Sequence, residues 1–334
     1  MSTPSRITDG SIAGALFRLG WPVTLSFFLY TSFVIIDSIW IGRLGSDALA
    51  ASGPSQFASW SIYAIGEIIA IGATAIIARR IGAGEMRDAG LTLIQGCWMV
   101  VIAGLLLAGG GALFARTLYA NLGTSEIVNA LGVRYLSILC YGAIFQFAGI
   151  FLESVLRSAG NTRTPMFITA GGLALNAILD PVLMFGWWGA PALGIAGAAI
   201  ATVGSQALIV VVYLFYFRAG RATVPVLPRT EWKFDSYITR RIIQIGLPAS
   251  SITFLFTIVY LFLTRFLAEF GTAPVAILGV GNRLEAITYL FGHGLSIATS
   301  TMVGQNLGAG KPDRAEKTAW YASAIASGFG LGVT

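Results

Sequence analysis

Long apolar stretches separated by short polar connections dominate the chain. Nine stretches of about 18 residues or more can be distinguished, at 19–41, 48–78, 90–113, 128–156, 165–186, 193–217, 242–268, 274–304 and 317–334. A helix needs about 20 apolar residues to cross a bilayer, and the alternating pattern of barrel strands is not found. The pattern therefore predicts an all-α integral membrane protein.

The composition supports this prediction and changes how the charge is interpreted. Hydrophobic residues make up 56% of the chain and charged residues only 11%, against about 25% charged residues in soluble domains. The net charge of +6 would suggest nucleic acid in a soluble protein, but membrane proteins collect Lys and Arg in cytoplasmic loops. We therefore expect a lipid bilayer around the chain and no nucleic-acid partner.

The distribution of basic residues predicts the orientation. With the N-terminus in the cytoplasm, 16 of the 21 basic residues fall on the cytoplasmic side, as the positive-inside rule requires. The first apolar stretch is too long for a cleavable leader, so we expect it to remain as an anchor. The predicted location is multi-pass in a plasma membrane, the inner membrane of a bacterium, with a cytoplasmic N-terminus.

An internal repeat divides the chain. "GWP" at 20–22 matches "GLP" at 246–248, and "IGAG" at 81–84 matches "LGAG" at 307–310. In both matches the same number of residues separates the first copy from the second, and we call this separation the repeat offset. Six apolar stretches fit in one offset, so the copies enter the membrane in the same direction and form a parallel repeat. This predicts a 12-helix transporter fold with two six-helix lobes, the second incomplete. We expect an N-terminal lobe at 1–217 and a cytoplasmic linker at 218–241. The start of a C-terminal lobe, truncated in its third helix, is expected at 242–334.

Two acids interrupt the apolar stretches. A charged residue at the centre of a membrane helix costs about 2.5–3.5 kcal/mol on insertion scales. Asp37 and Asp180 lie five and six residues before Gly42 and Gly186, so both are expected about 8 Å below the outer surface. Asn176 shares the helix face of Asp180. Two carboxylates at low dielectric need a proton or cation, which predicts an H⁺ or Na⁺ site. The alternative is that each Asp is held by structural hydrogen bonds or borders a water-filled vestibule.

Further polar residues are cavity candidates with equally plausible packing roles. Glu67 could line a cavity, and its repeat mate His293 could titrate near neutral pH, although a satisfied packing role explains a lone histidine more simply. Thr31 and Trp60 are further substrate candidates, and Trp60 equally suits the interfacial belt. Glu153 and Arg157 have the spacing of an ordinary helical ion pair. No nucleotide-binding loop, metal-binding Cys/His spacing or catalytic triad is found, so no enzyme activity and no cofactor are expected.

Four motifs resemble those of the MATE (multidrug and toxic compound extrusion) family. They are "DSIWIGRLGSDALAA" at 37–51, "ARRIGAGEMRDA" at 78–89, "LRSAGNTRTPM" at 156–166 and "LNAILDPVLMFG" at 175–186. The resemblance implies a secondary antiporter that exports organic cations in exchange for H⁺ or Na⁺ by alternating access. By residue, it implies that Asp37, Asn176, Asp180 and Thr202 form the coupling site, with Tyr135 near that site as a substrate or cavity candidate. The seventh stretch has no mid-membrane acid, which implies a coupling site in the N-terminal lobe.

The expected function is export of amphipathic, mostly cationic compounds by a monomer, with only H⁺ or Na⁺ as coupling ion. One alternative is a flippase for lipid-linked oligosaccharides or peptidoglycan precursors of the same superfamily, which should carry several cationic cavity residues. Another is a non-transporting membrane scaffold, which has no need for paired buried carboxylates.

Overall fold

A computed structural model describes residues 5–268, 270 and 272–333. Within this part, nine long helices follow a short helix at Ser5–Thr8. We number them α1 to α9: Ile12–Gly42, Ser46–Gly82, Met86–Ala120, Glu126–Ser158, Arg163–Phe185, Ile195–Arg218, Ser236–Ala268, Thr272–Gly308 and Pro312–Val333. Short 3₁₀ turns occur at Trp187–Gly189 and Arg229–Glu231.

Each predicted apolar stretch corresponds to one of these helices. Most helices extend beyond both ends of the predicted stretch, and only a few begin or end inside it. Thr334, the last predicted residue, lies outside the described residues. The helices α1–α6 have the length and hydropathy of membrane spans, with mean hydropathies of 1.6–2.1 in their most apolar windows. Every regular element in the described part is helical. The prediction of an all-α membrane protein is therefore confirmed.

Successive helices alternate in direction and define two sides of the molecule. We call the side that carries the connection between α6 and α7, at 219–235, the linker side. The opposite side, which carries the connections at 43–45, 121–125 and 186–194, is called the far side. The helices α1, α3, α5, α7 and α9 run from the linker side to the far side, and the others run back.

The N-terminal lobe, α1–α6, is built around α4. This helix packs against α2, α3 and α6, and its buried side chains Leu136, Phe147 and Phe151 form the centre of the main core. Tyr119, at the far end of α3, is completely buried. Its hydroxyl lies 2.7 Å from Ser55 Oγ, which ties α3 to α2. The lobe is therefore a packed unit that holds α5 and α6 in fixed positions.

The connection between α6 and α7 is attached to the N-terminal lobe by a buried amide. Gln95 of α3 donates from Nε2 to the carbonyl of Lys233 at 2.8 Å, and its Oε1 accepts the backbone N–H of Asp235 at 2.9 Å. Asp235 then caps α7 by accepting the N–H of Tyr237, as helix N-caps do. Arg87 and Glu231 form an ion pair at 2.7 Å. The start of α7 is thus held by α3.

The two lobes meet with the symmetry expected of a parallel repeat. The helix α1 packs against α8 as α7 packs against α2, and α2 also packs against its own repeat mate α8. Gly82 approaches the carbonyl of Gln305 so closely that no side chain would fit, and Gly308 approaches the carbonyl of Arg79 in the same way. Both contacts join residues that exchange under the repeat offset. A pseudo-twofold axis therefore passes between α2 and α8.

Close approaches at glycine residues form a large part of the interface between the lobes on the linker side. We call these contacts the glycine seam; its glycines leave no room for a side chain against the opposite lobe and are Gly72, Gly82, Gly246, Gly294, Gly304 and Gly308. All lie in the linker-side halves of their helices. Closer to the far side, Trp60 of α2 is 56% exposed. The described contacts therefore join the lobes on the linker side, and we call the region between the lobes toward the far side, where Trp60 lies, the cleft.

Candidate functional site

Asp180 lies in the interior of the N-terminal lobe without a polar partner. The residue is completely buried, and both carboxylate oxygens lack a hydrogen-bond partner among the described residues. Asn176, one turn earlier on α5, points its Nδ2 toward Thr202 Oγ1 of α6 at 3.5 Å. Its Oδ1 is also buried and unsatisfied. Three buried acceptor oxygens therefore lie on one face of α5.

Asp37 and Tyr135 approach the same region from α1 and α4. The Oδ1 of Asp37 is buried and has no described hydrogen-bond partner. The carboxyl groups of Asp37 and Asp180 are close enough to interact electrostatically, and the hydroxyl of Tyr135 is within the range of both. We call Asp37, Tyr135, Asn176, Asp180 and Thr202 the acid cluster. The structure brings together all five residues to which the sequence resemblance points.

The acid cluster has the chemistry of a site for a proton or a hard cation. Two carboxylates in a poorly solvated interior cannot both stay charged without a proton or a cation. Oxygen ligands are what hard cations prefer. The Oδ1 atoms of Asp37 and Asn176 and both carboxylate oxygens of Asp180 lack hydrogen bonds within the described part. Among the described residues no structural hydrogen bond to the Asp180 carboxylate is found, and the alternative of a water-filled vestibule stays open. The residues therefore fit either H⁺ or Na⁺.

Glu67 and His293 form a second polar group, at the bottom of the cleft. Glu67 Oε1 of α2 lies 3.9 Å from His293 Nε2 of α8, and their side chains are 10% and 26% exposed. The ring of Phe27 meets the imidazole edge-on at 4.7 Å, and Tyr289 stacks against it at 5.7 Å. We call Glu67 and His293 the axis pair. The sequence identified both residues as repeat mates but did not predict their contact.

Glu153 and Arg157 form the predicted ion pair, but the pair is not an ordinary surface pair. Its side chains are only 16% and 10% exposed, because α8 of the other lobe covers them. Thr301 of α8 donates to the carbonyl of Arg157 at 3.2 Å, and Gln305 donates to the carbonyl of Ser158 at 2.7 Å. The predicted helical ion pair is therefore confirmed, and the hydrogen bonds from Thr301 and Gln305 place this end of α4 at the interface between the lobes.

The remaining candidates lie along the cleft. The hydroxyl of Thr31 donates to the carbonyl of Phe27 at 3.0 Å, within its own helix. Trp60 contacts Tyr63 with a centroid distance of 6.3 Å. Trp60, Tyr63 and Glu67 share one face of α2, since they are spaced by three, four and seven residues. Trp60 is thus exposed on the face that points to the other lobe.

Sequence reasoning missed two tyrosines at these sites. Tyr30 is close enough to Asp37 and Tyr135 for electrostatic interaction, and also to Tyr63, so it lies between the acid cluster and the axis pair. Tyr289 stacks on His293. The repeat contained a signal for Tyr289, because it is the repeat mate of Tyr63, but nothing in the pattern distinguished Tyr30 from other aromatic residues in the spans.

A repeat of membrane helices, a cleft between two lobes and a pair of buried acids in one lobe define a polytopic membrane transporter. The chain belongs to the MatE family, because the family model matches residues 22–182 and 248–334. The starts of the two matched segments are separated by the repeat offset, which agrees with the internal repeat. The predicted family is confirmed.

Two relatives illustrate the range of the family. The chain is 28% identical over 311 residues to the "probable multidrug resistance protein YpnP" of Bacillus subtilis, covering 92% of the chain and 68% of the relative. It is 29% identical over 315 residues to the "FAD transporter" of Shewanella oneidensis, covering 93% and 69%. The chain thus spans about two thirds of the length of these relatives.

Solved structures show the same fold. A MOP superfamily transporter from Pyrococcus furiosus superposes with a TM-score of 0.91 at 24% identity, covering all of the chain and 73% of that protein. A multidrug resistance MATE family transporter in an outward-facing conformation gives a TM-score of 0.89 at 24% identity, with the same coverage.

Proposed function

We propose that the protein is a secondary active antiporter that exports amphipathic, mostly cationic compounds in exchange for H⁺ or Na⁺. The observation that carries the proposal is the buried carboxylate of Asp180, which has no described hydrogen-bond partner and interacts with Asp37. Family membership and the names of the multidrug resistance relatives support the direction and the substrate class. The expected location is the inner membrane of a bacterium.

The charge distribution supports a cytoplasmic linker side. Basic residues gather in the connections there, for example Arg218, Arg221 and Lys311, as in the cytoplasmic loops of membrane proteins. With this orientation the described contacts join the lobes on the cytoplasmic side, and the cleft lies toward the outside. Asp37 and Asp180 then meet external H⁺ or Na⁺ while substrate is released.

Coupling follows from competition for the carboxylates. An ion bound at Asp37 and Asp180 neutralises the charge that a cationic substrate would use, so that ion binding weakens substrate binding. Asn176 and Thr202 orient the oxygens around the ion, and Tyr135 covers the cluster from α4. Loss of the ion on the cytoplasmic side restores the charge and permits the next substrate to bind. Arg157 beside the cleft is neutralised by Glu153, which favours cationic over anionic substrates.

The decisive variant is Asp180→Asn, which keeps the size of the side chain and removes its charge. We expect it to abolish export of a fluorescent cation, measured as uptake into everted vesicles driven by imposed H⁺ or Na⁺ gradients, with each gradient applied separately. Asp47→Asn is the matched control, because Asp47 is exposed in the first turn of α2. Equal membrane yield of both variants shows that insertion is intact. Efflux by Asp180→Asn at the wild-type rate would contradict the coupling role.

A further inference from the structure

The axis pair joins the two copies of the repeat at equivalent positions. Glu67 and His293 are separated by the repeat offset, and their side chains meet at 3.9 Å. Two equivalent positions can touch only where the pseudo-twofold axis passes between them. Tyr63 and Tyr289, which are also repeat mates, lie one turn closer to the far side. The contact therefore lies on the axis, at the bottom of the cleft.

This contact depends on the arrangement of the lobes. Glu67 belongs to the N-terminal lobe and His293 to the other, so separation of the lobes on the linker side must separate them. The glycine seam begins next to the pair, since Ile68 contacts Gly246 and Gly294 contacts Thr24. The axis pair thus lies at the far-side end of the glycine seam.

The charges around the pair leave one negative charge uncompensated. Glu153 and Arg157 of α4 neutralise each other, so Glu67 with a neutral imidazole carries a net charge of −1. The helix α1 contributes the uncharged ring of Phe27. The other titratable side chains nearest the pair are Tyr30, Tyr63 and Tyr289, which are neutral at ordinary pH. Asp37 of α1, ten residues from Phe27, and Arg283 and Glu285 of α8, ten and eight residues from His293, lie two or more turns away along their helices. A buried net charge is costly, and one added proton removes it.

We infer that Glu67 and His293 together bind one proton, at a site separate from the acid cluster, and that this proton stabilises closure of the linker side. The proton produces either an imidazolium–carboxylate pair or a neutral acid bonded to imidazole, and both forms have zero net charge. Because the pair exists only in the closed arrangement, proton binding and closure favour each other. Closure is therefore stronger at low pH and weaker as the pH rises through the titration of the pair. The inference uses the alternating access of the proposed antiporter.

The chain offers a direct measurement, since His293 is its only histidine. Protein purified without a histidine tag and labelled with ring ¹³C,¹⁵N-histidine gives one imidazole signal, whose pH titration is followed in nanodiscs. Glu67→Gln removes the carboxylate, and we expect the titration to move by at least one pH unit. Glu126→Gln, at an exposed position at the start of α4, is the matched control and should not move it. A titration that Glu67→Gln leaves unchanged would overturn the shared proton site.

Closure is measured on the same protein with spin labels. Arg218 at the end of α6 and Glu316 on α9 are exposed on the linker side, and they carry the labels after alanine replaces the two native cysteines. Double electron–electron resonance should show a longer-distance population that grows as pH rises in the wild type. In Glu67→Gln this pH dependence should be lost. A pH dependence of the same size in the variant would show that another group controls closure.

The symmetry supplies a rescue experiment. The double variant Glu67→His with His293→Glu exchanges the two groups across the axis and should regain both the shifted titration and the pH-dependent closure. A merely structural role for either residue would not predict recovery in the exchanged protein. Neither measurement requires transport, so failure here leaves the assignment of Asp180 untouched. Loss of coupled efflux in Asp180→Asn likewise leaves the axis pair to be judged by its own titration.

Discussion

The contact between Gly304 and Ala78 permits a graded perturbation of lobe closure. The two residues are repeat mates and face each other across the pseudo-twofold axis. A methyl group placed on Gly304 would lie 2.8 Å from the Cβ of Ala78, whereas ordinary contact begins at 3.4 Å. Neither methyl group can rotate away, because both are fixed to helix backbones. Gly304→Ala must therefore push α2 and α8 apart by about 0.6 Å, the difference between these two distances, since close-packed interfaces hold no spare volume.

The expected cost follows from this overlap. Overpacking of a close-packed interface costs about 1–3 kcal/mol, which corresponds to a change of about 5- to 150-fold in an equilibrium constant. The higher helix propensity of alanine acts on α8 in both conformations and does not change their ratio. We therefore expect Gly304→Ala to lower the ratio of closed to open linker-side conformations by about that factor.

Labelling of a buried cysteine measures the open population. Ala298 is 1% exposed within the interface, so Ala298→Cys, in a chain without the native cysteines, reacts with a maleimide only when the lobes part. Gly304→Ala should raise the labelling rate by about 5- to 150-fold. Gly171→Ala is the matched control, because a methyl there meets open space. Adding Ala78→Gly to Gly304→Ala moves the methyl across the axis and should restore slow labelling.

The predicted methyl overlap is refuted if Gly304→Ala is labelled at the same rate as Gly171→Ala. It is also refuted if the double variant labels as fast as the single variant, because the effect would then not come from the methyl overlap.

Three further predictions concern other parts of the interface. Cysteines that replace Gly20 and Ala298 would have Cβ atoms 3.8 Å apart, which matches disulfide geometry. Oxidation should join the two lobes covalently and stop transport, and a reductant should restore transport. Gln95→Ala removes both hydrogen bonds to the linker and should lower stability by about 1–3 kcal/mol, measured as a lower thermal midpoint and faster proteolysis of the linker. The hydrogen bond and charge of Lys311 lower the pKa of the Asp9 carboxyl. The ion pair between Asp9 and Lys311 is therefore complete above the ordinary carboxyl pKa, and it is lost as the pH falls through the lowered pKa. Asp9→Asn should therefore abolish the acid-induced increase in hydrogen exchange of the short N-terminal helix.

The helices could be predicted from the sequence because each one combines a long apolar run with polar ends. The boundaries differ at the ends of α1, for example, where Ile12 begins the helix seven residues before the predicted stretch. Its first turns are capped by Ser11, and the charged Arg18 separates them from the predicted apolar stretch. Helix propensity and capping extend a helix beyond the membrane core, which a pattern of apolar residues does not report.

The acid cluster could be located from the sequence, whereas the axis pair could not. Asp37 and Asp180 contrast with every neighbour, and their similar distance from the ends of their spans indicates a shared depth. The burial of Glu153 and Arg157 could not be predicted, because the spacing of four residues is identical in exposed and buried ion pairs. Their burial depends on α8, whose position depends on where the axis passes. The repeat gives the correspondence between Glu67 and His293 but not the location of the axis that makes them meet.

The glycine seam also has an evolutionary consequence. Four of its six glycines meet main-chain carbonyl groups of the opposite lobe, which every sequence possesses, while Gly294 meets Thr24 and Gly304 meets the small side chain of Ala78. Side chains that line the cleft, such as Trp60, do not take part in it. In the proposed transport cycle, substitutions that adapt the cleft to new compounds would leave these contacts intact, so one pair of lobe surfaces would serve compounds of many shapes.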